Sequence, residues 1–443
     1  MFSNKDLRKL IIPLVIEQLL AVTIGMADTV MVSSCGEAAV SGISLVDSIN
    51  FLLITLFSSL ATGGAVIASQ YIGRGDHKSA SLAAKQLFYA SLALSAVLGI
   101  IAVFFRKPVL NMVFGSIEAD VMAHAQIYFL LSAISYPFLA VYNAGAALFR
   151  SMGDSRTTML ISILMNTINI VGNAILIYGF QMAAAGAATA SLVSRAVGAI
   201  IITVLLLNPH RIIFYDKLHK PEIHLSMLKS ILQIGVPNGL ENSIFQIGKI
   251  LVASIVSGFG TISITANAVA GNLPSLQGIP GMALGMAMIT VVGQCIGAKD
   301  YEAVKKYTKK LMLITYGVVW AMTLLMLLFS KQILSFYSLS EETTTMTMEV
   351  FIVHGICAVI VWPLAFALPN ALRAANDVRF TMIVSLLSMW IFRIGFSYIL
   401  AIYFNMGILG TWIAMCIDWF CRGACFVIRF ARGKWKNISF IDN

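Results

Sequence analysis

Glu17, Asp28, Asp47, Arg195, Glu241, Lys249, Arg393, Asp418 and Arg422 all fall inside long apolar stretches of a 443-residue chain. An ionisable group held in such a stretch is costly, and so is by default a candidate for handling an ion or a substrate. Asp28 stands in Gly25-Met26-Ala27-Asp28-Thr29 with no cation within one helical turn. A carboxyl group so placed could take up and release a proton near neutral pH, or hold a sodium ion while ionised. Farther on, Asn169 and Asn173 share a helix face at i, i+4, with Asn166 beside them and Ser191 in the next apolar stretch. Amide and hydroxyl oxygens suit an alkali cation and also satisfy a protonated carboxyl. Interhelical packing is the competing use of such amides.

The other charges carry competing readings. Glu17 and Glu241 each follow a proline, Pro13 and Pro237, by four residues. A carboxylate one turn past a helix bend suits a fold-specifying hydrogen bond or a gating site equally well. Lys249 lies about eight residues, or ~12 Å, from the outer end of its stretch, a long reach for snorkelling. It is either part of a substrate site or the filling of a polar cluster. Asn143 and Pro13 join Glu17, Glu241 and Lys249 as substrate or gating candidates. Structural roles are expected for Asp418 and Arg422, an i, i+4 ion pair. The same is expected for Asp47 near a wet outer end, and for Arg195 and Arg393 at mid-span. The six cysteines lack metal or redox spacing and read as small packing residues.

The elements that position these groups are read from composition. Charged residues are 11% of the chain and AVILMFWYC 59%, with mean hydropathy +0.87. A soluble chain carries about 25% charge, so a soluble enzyme, a disordered chain and a single-span receptor are excluded. The +10 charge reads as basic cytoplasmic loops and not as a nucleic-acid surface. Twelve apolar spans are expected at about 10–32, 40–71, 86–105, 122–147, 158–180, 184–207, 231–257, 264–296, 311–330, 350–371, 381–403 and 408–429. The second and eighth are long for one crossing and should tilt, bend or protrude. Lys and Arg cluster at alternate span ends, for example Arg74, Lys78 and Lys85 or Lys305, Lys306, Lys309 and Lys310. The opposite ends hold only Arg106, Lys107 and Lys331. Both termini are therefore expected in the cytoplasm.

The two halves repeat. Pro13-x-x-x-Glu17 recurs as Pro237-x-x-x-Glu241, and Gln70-x-Ile72-Gly73-x-x-Asp76 recurs as Gln294-x-Ile296-Gly297-x-x-Asp300, both 224 residues on. Arg150-x-x-x-Asp154-x-Arg156 recurs as Arg373-x-x-x-Asp377-x-Arg379, 223 residues on. The same 224 shift carries Asp28 to Val252, one turn from Lys249. An even number of spans per half makes the copies parallel, a transporter design with substrate near mid-membrane. The expected division is a six-helix lobe over 1–207, a linker over 208–230, a second lobe over 231–430 and a tail over 431–443.

Pro13…Asp28-Thr29-Val30-Met31-Val32, Gln70-Tyr71-Ile72-Gly73, Leu148-Phe149-Arg150-Ser151-Met152-Gly153-Asp154, Asn169…Asn173-Ala174-Ile175-Leu176-Ile177-Tyr178-Gly179 and Gly186-Ala187-Ala188-Thr189-Ala190, with their second-half copies, resemble the multidrug and toxic compound extrusion (MATE) family. The resemblance covers essentially the whole chain. It implies an all-α integral membrane protein of twelve transmembrane helices, two parallel six-helix repeats around a V-shaped central cleft. It implies antiport of organic, often cationic amphipathic compounds against a cation. In the DinF-like branch the coupling site lies in the N-terminal lobe, and its positions fall here on Asp28, Asn169, Asn173 and Ser191. The second fifth-span position is usually Asp, so Asn173 removes a negative charge, which favours a proton over sodium as the coupling ion. In the NorM-like branch the site uses a seventh-span Glu and a tenth-span Asp. Glu241 sits early for the first and the tenth span has no Asp, so the DinF-like side is favoured. The expected partners are a small organic substrate and membrane lipid, with no nucleic acid, no cofactor and a monomeric state. The expected location is the plasma (inner) membrane. The rival reading is a lipid-linked precursor flippase of the wider superfamily, to which Lys249, Arg195 and Arg393 would lend cationic character. A membrane enzyme is not supported, since no nucleophile–base pair stands out.

Overall fold

The computed structural model describes residues 2–115, 117–335, 337 and 339–438; side chains 24, 26, 27, 29 and 273–276 lie outside the description, as do the last residues of the expected tail, 439–443. The chain folds into helices α1 (Asn4–Ser33), α2 (Glu37–Arg74), α3 (His77–Phe114), α4 (Ala119–Ser151), α5 (Ser155–Gly179) and α6 (Ala183–Leu206). A second set follows: α7 (Leu225–Ser257), α8 (Thr261–Gly297), α9 (Tyr301–Leu328), α10 (Glu341–Ala374), α11 (Val378–Tyr403) and α12 (Gly407–Ala431). Among the described residues eleven helices are long and apolar enough to cross a bilayer, and α1, 30 residues long, completes the twelve. With every backbone group satisfied inside its own helix, this is an architecture that a bilayer accepts.

Helix ends follow local chemistry. Asp76, Asp154 and Asp300 each accept a hydrogen bond from the backbone N–H three residues on, at 3.0, 3.1 and 2.9 Å, and so start α3, α5 and α9. Gly75, at φ +81°, ends α2 in the left-handed conformation, which glycine adopts without steric penalty. The expected length of α2 and α8 is observed at 38 and 37 residues. α3 was expected to end near 105, and two helical segments meet there; the second, which holds Arg106 and Lys107, runs to Phe114. A kink at Phe105, φ −108° and ψ 20°, precedes Pro108. The run of apolar residues stops at Phe105, but the helix is carried on past the charges.

Two compact units emerge, Met1–Gly239 and Leu240–Asn443, so the division falls within α7. The reason lies in the connection expected as a linker. Gln86 of α3 donates to the Glu222 carbonyl at 2.7 Å and accepts from the His224 N–H at 3.0 Å, and Tyr89 donates to the Leu218 carbonyl at 2.8 Å. The first turns of α7 then meet α2. A Cβ on Gly63 would lie 2.5 Å from the Ile231 carbonyl, a separation only glycine permits.

Within the second unit, α11 is not a regular α-helix. Met389–Gly395 and Tyr398–Tyr403 form π-helical turns. The second of these matches Ala174–Gly179 of α5 at the repeat shift of 224. The shift is 223 at Arg156 and Arg379 and still 223 at Gly172 and Gly395, and 224 at these π turns. The Met389–Gly395 turn has no π-helical counterpart among the described residues of the first unit.

Candidate functional site

Asp28 sits half-buried on α1. Asn173, fully buried on α5, donates through Nδ2 to Asp28 Oδ1 at 2.6 Å and more weakly to Asn169 Oδ1 at 3.4 Å. Asn169 donates to Ser191 Oγ of α6 at 3.0 Å. The four residues singled out from sequence therefore form one chain of hydrogen bonds across three helices. The Oδ1 atom of Asn173 is buried without a donor. An orphaned acceptor beside a carboxylate is costly, and a proton on Asp28 or a bound cation would satisfy it. Asn166 points elsewhere along its own helix, to Ser162 at 3.3 Å.

A second layer was not foreseen. Tyr128 of α4 donates to Asp47 at 3.0 Å, Asn50 donates to Asp47 at 3.2 Å, and Tyr136 donates to Asn50 Oδ1 at 2.8 Å. Arg195 of α6 donates to Ser135 at 2.7 Å. Asp47 and Arg195 act electrostatically on Asp28. The sequence signal was present only in part: Asp47 and Asn50 share a face at i, i+3, whereas the tyrosines of α4 are indistinguishable there from other aromatic residues.

Glu17 and Glu241 are placed elsewhere. Glu17, buried on α1, pairs with Arg150 of α4 at 3.3 Å and accepts from Thr158 of α5 at 2.8 Å. Glu241 pairs with Arg373 at 2.8 Å and accepts from Ser385 at 2.6 Å. The two repeat motifs, Pro-x-x-x-Glu and Arg-x-x-x-Asp-x-Arg, thus close on each other once in each unit. Arg150 and Arg373, noted in the sequence as part of the repeated Arg-x-x-x-Asp-x-Arg motif, are the cationic halves of these clasps. Pro13 is half-buried one turn before Glu17, and Asn143 is half-buried on α4 and joins none of these groups among the described residues.

Asp418 and Arg422 of α12 form the expected i, i+4 pair at 3.1 Å, but in a fully buried setting that draws in more groups. Ser388 donates to Asp418 at 2.5 Å, and Arg393 lies 3.8 Å from it. The guanidinium carbons of Arg393 and Arg422 each stand 5.4 Å from the centre of the Phe245 ring, and Lys249 Nζ stands 6.0 Å from it. Lys249 is exposed and has no carboxylate partner among the described residues.

The MatE family profile matches residues 13–175 and again 237–399. The chain belongs to the MatE family. The two matches are offset by 224 residues, the shift read from the motifs. A transporter of unassigned function, YisQ of Bacillus subtilis, is 28% identical over 436 residues, covering 96% of this chain and 93% of that protein. A probable multidrug resistance protein NorM of Thermotoga maritima is 26% identical, covering 98% and 93%. Among solved structures, a MATE in the bent conformation superposes with TM-score 0.89 at 20% identity, covering 97% and 94%. A MOP superfamily transporter of Pyrococcus furiosus, described by a reverse polarity of its binding pocket, superposes with TM-score 0.88 at 21% identity, covering 98% and 97%.

This MatE protein is thus a multi-pass membrane transporter. Its first unit offers oxygen ligands and a titratable acid. Its second unit offers guanidinium, ammonium and aromatic groups. The second arrangement was only partly legible: Lys249, Arg393 and Arg422 were each noted, but Phe245 as their common centre was not.

Proposed function

We propose that the protein exports organic amphipathic compounds by alternating access, in exchange for a cation taken up at Asp28. The observation that carries this is the 2.6 Å contact between Asp28 and Asn173, with an unsatisfied amide oxygen at the same place. The ionised carboxylate accepts from Asn173 Nδ2. A proton arriving on Asp28 converts it to a donor, and the amide turns to present Oδ1. That reversal reaches Asn169 and Ser191 through their hydrogen bonds and joins α1, α5 and α6. A bend of α1 near Pro13 then lowers affinity for the compound, and proton release inside restores it. The site has one carboxylate in direct contact with its amides, which favours a proton over sodium as the coupling ion.

This N-terminal placement is the DinF-like arrangement. Several relatives carry the name NorM, so the branch is proposed on residue positions: Glu241 is engaged by Arg373 and α10 has no Asp. Both termini are assigned to the cytoplasm and the protein to the plasma (inner) membrane, by the distribution of Lys and Arg.

The test is dye transport in proteoliposomes under an imposed pH gradient, and separately under a sodium gradient, for wild type and Asp28→Asn. The expected result is transport driven by pH and lost in the variant. A fully active Asp28→Asn overturns the coupling assignment, and transport driven by sodium alone overturns the choice of ion.

A further inference from the structure

The second unit holds three cationic side chains around one aromatic ring. Arg393, Arg422 and Lys249 surround Phe245, and Asp418 is the carboxylate that faces the two arginines. The four charges sum to a surplus of two positives. The surplus is not spread evenly. Arg422 holds both oxygens of Asp418, at 3.1 and 3.2 Å. Arg393 stays beyond hydrogen-bond range of the same carboxylate, and its Nε and Nη1 are buried with no hydrogen-bond partner. Lys249 has none either among the described residues, and it is exposed while Arg393 is only 11% so. A free ammonium at the surface therefore leads inward to a guanidinium with two nitrogens that make no hydrogen bond.

Two facts separate this cluster from ordinary core packing. A buried guanidinium left without its partners is expensive, and an apolar side chain would fill the space at lower cost. Arg393 also stands on the Met389–Gly395 π turn, which has no counterpart among the described residues of the first unit. Such turns re-aim side chains and recur at functional sites. The apolar surround is aromatic, with Phe366 at 6.3 Å from Phe245 and Trp419 at 5.3 Å from Phe366.

We propose that Lys249 and Arg393 bind the acidic group of an amphipathic ligand, a carboxylate, sulfonate or phosphate monoester, with the ligand's apolar part against Phe245 and Phe366. A guanidinium edge offers paired donors in the geometry an oxyanion needs, and Lys249 adds a mobile donor at the entrance. The ligand being the exported compound rests on the export reading above; the acidic-group site itself does not. It departs from the often cationic cargo that the family resemblance implies.

The test is equilibrium binding to the purified full-length protein of two fluorescent probes with one tail and opposite heads, pyrenebutyrate and a pyrenebutyl trimethylammonium salt. Wild type is expected to prefer the carboxylate. Lys249→Gln should weaken pyrenebutyrate about tenfold, the scale of one charge-assisted hydrogen bond, and leave the ammonium probe unchanged, while Lys249→Arg retains binding. Arg393→Gln should act in the same direction, and the exposed Lys249 variant keeps the test valid if that protein does not fold. Equal binding of both probes, or a preference that Lys249→Gln does not alter, overturns the proposal. Repeating the titration in nanodiscs with and without phosphatidylglycerol separates two sources of acid. Competition by the lipid would assign the site to a headgroup and overturn its assignment to a transported compound. Because binding needs no gradient, an Asp28→Asn protein that fails to transport should still show the same preference, which distinguishes failure of this site from failure of the coupling reading.

Discussion

The two units share one chain plan and have opposite chemistry. Each has a first helix with a proline inside it, an aspartate-started third helix and a Glu–Arg clasp with a buried glutamate, at Glu17–Arg150 and Glu241–Arg373. What differs is the interior between these landmarks. Asp28 of the first unit corresponds to Val252 of the second, and Asn173 precedes its π turn as Ser397 precedes the matching one. The second unit instead gathers Lys249, Arg393 and Arg422 around Phe245. The clasps answer to folding, which both copies must do; the interiors are free to diverge because each needs only to satisfy its own buried polar groups. On this comparison the first unit is the one proposed to handle a cation, and the second an anion.

The largest expected effect breaks the first half of that comparison. Asp28→Asn should reduce pH-driven export to the level of empty liposomes while the melting temperature changes little, and Val252→Asp in the same protein should not restore transport. Next come the clasps, where the units should behave alike. Glu17→Gln and Glu241→Gln each take the carboxylate from a half-buried arginine, a loss of up to about 3–5 kcal/mol, to be read as a comparable fall in thermal stability for both. A large loss in one and none in the other would show that one clasp is functional. A sharper test concerns charge. If an anionic compound leaves as one proton enters, two positive charges move inward per cycle, and the membrane potential contributes about 2.3 kcal/mol per charge per 100 mV. Transport of pyrenebutyrate should then accelerate with an inside-negative potential set by potassium and valinomycin, whereas one-for-one exchange of a proton and a monovalent cation should not respond. Asn173→Asp restores a second carboxylate next to Asp28 and is expected to let a sodium gradient drive export, measured in the same liposomes.

The smallest effect concerns the caps. Hydrogen bonds from Ser79 hold the Asp76 carboxyl below the ordinary carboxylate value. A depressed folded value means the cap stabilises above the unfolded value, about 3.9, and loses that contribution as pH falls through the folded one. Asp76→Ala should cost about 1 kcal/mol near neutral pH and progressively less in acid. Asp377, the counterpart of Asp154, makes no cap bond and pairs with Arg429 at 2.6 Å, so Asp377→Ala should instead act through the loss of that pair.

The sequence by itself determined the all-helical membrane fold, the number of spans and the internal repeat. Hydrophobic stretches of bilayer length and motif spacing are local or periodic properties, readable along the chain. It also determined the face that Asn169 and Asn173 share, since i, i+4 spacing on a helix needs no tertiary information. Only the tertiary structure decided which charges meet. Glu17 and Arg150 stand 133 residues apart, Asp28 and Asn173 stand 145 apart, and Asp47 and Tyr128 stand 81 apart. Such pairings depend on helix order, rotation and depth, which periodicity does not specify. The π turn that carries Arg393 is the intermediate case. Arg393 was visible in the sequence as a mid-span charge, but a guanidinium with unbonded N–H groups beside Phe245 exists only because α7, α11 and α12 bring their side chains to the same ring.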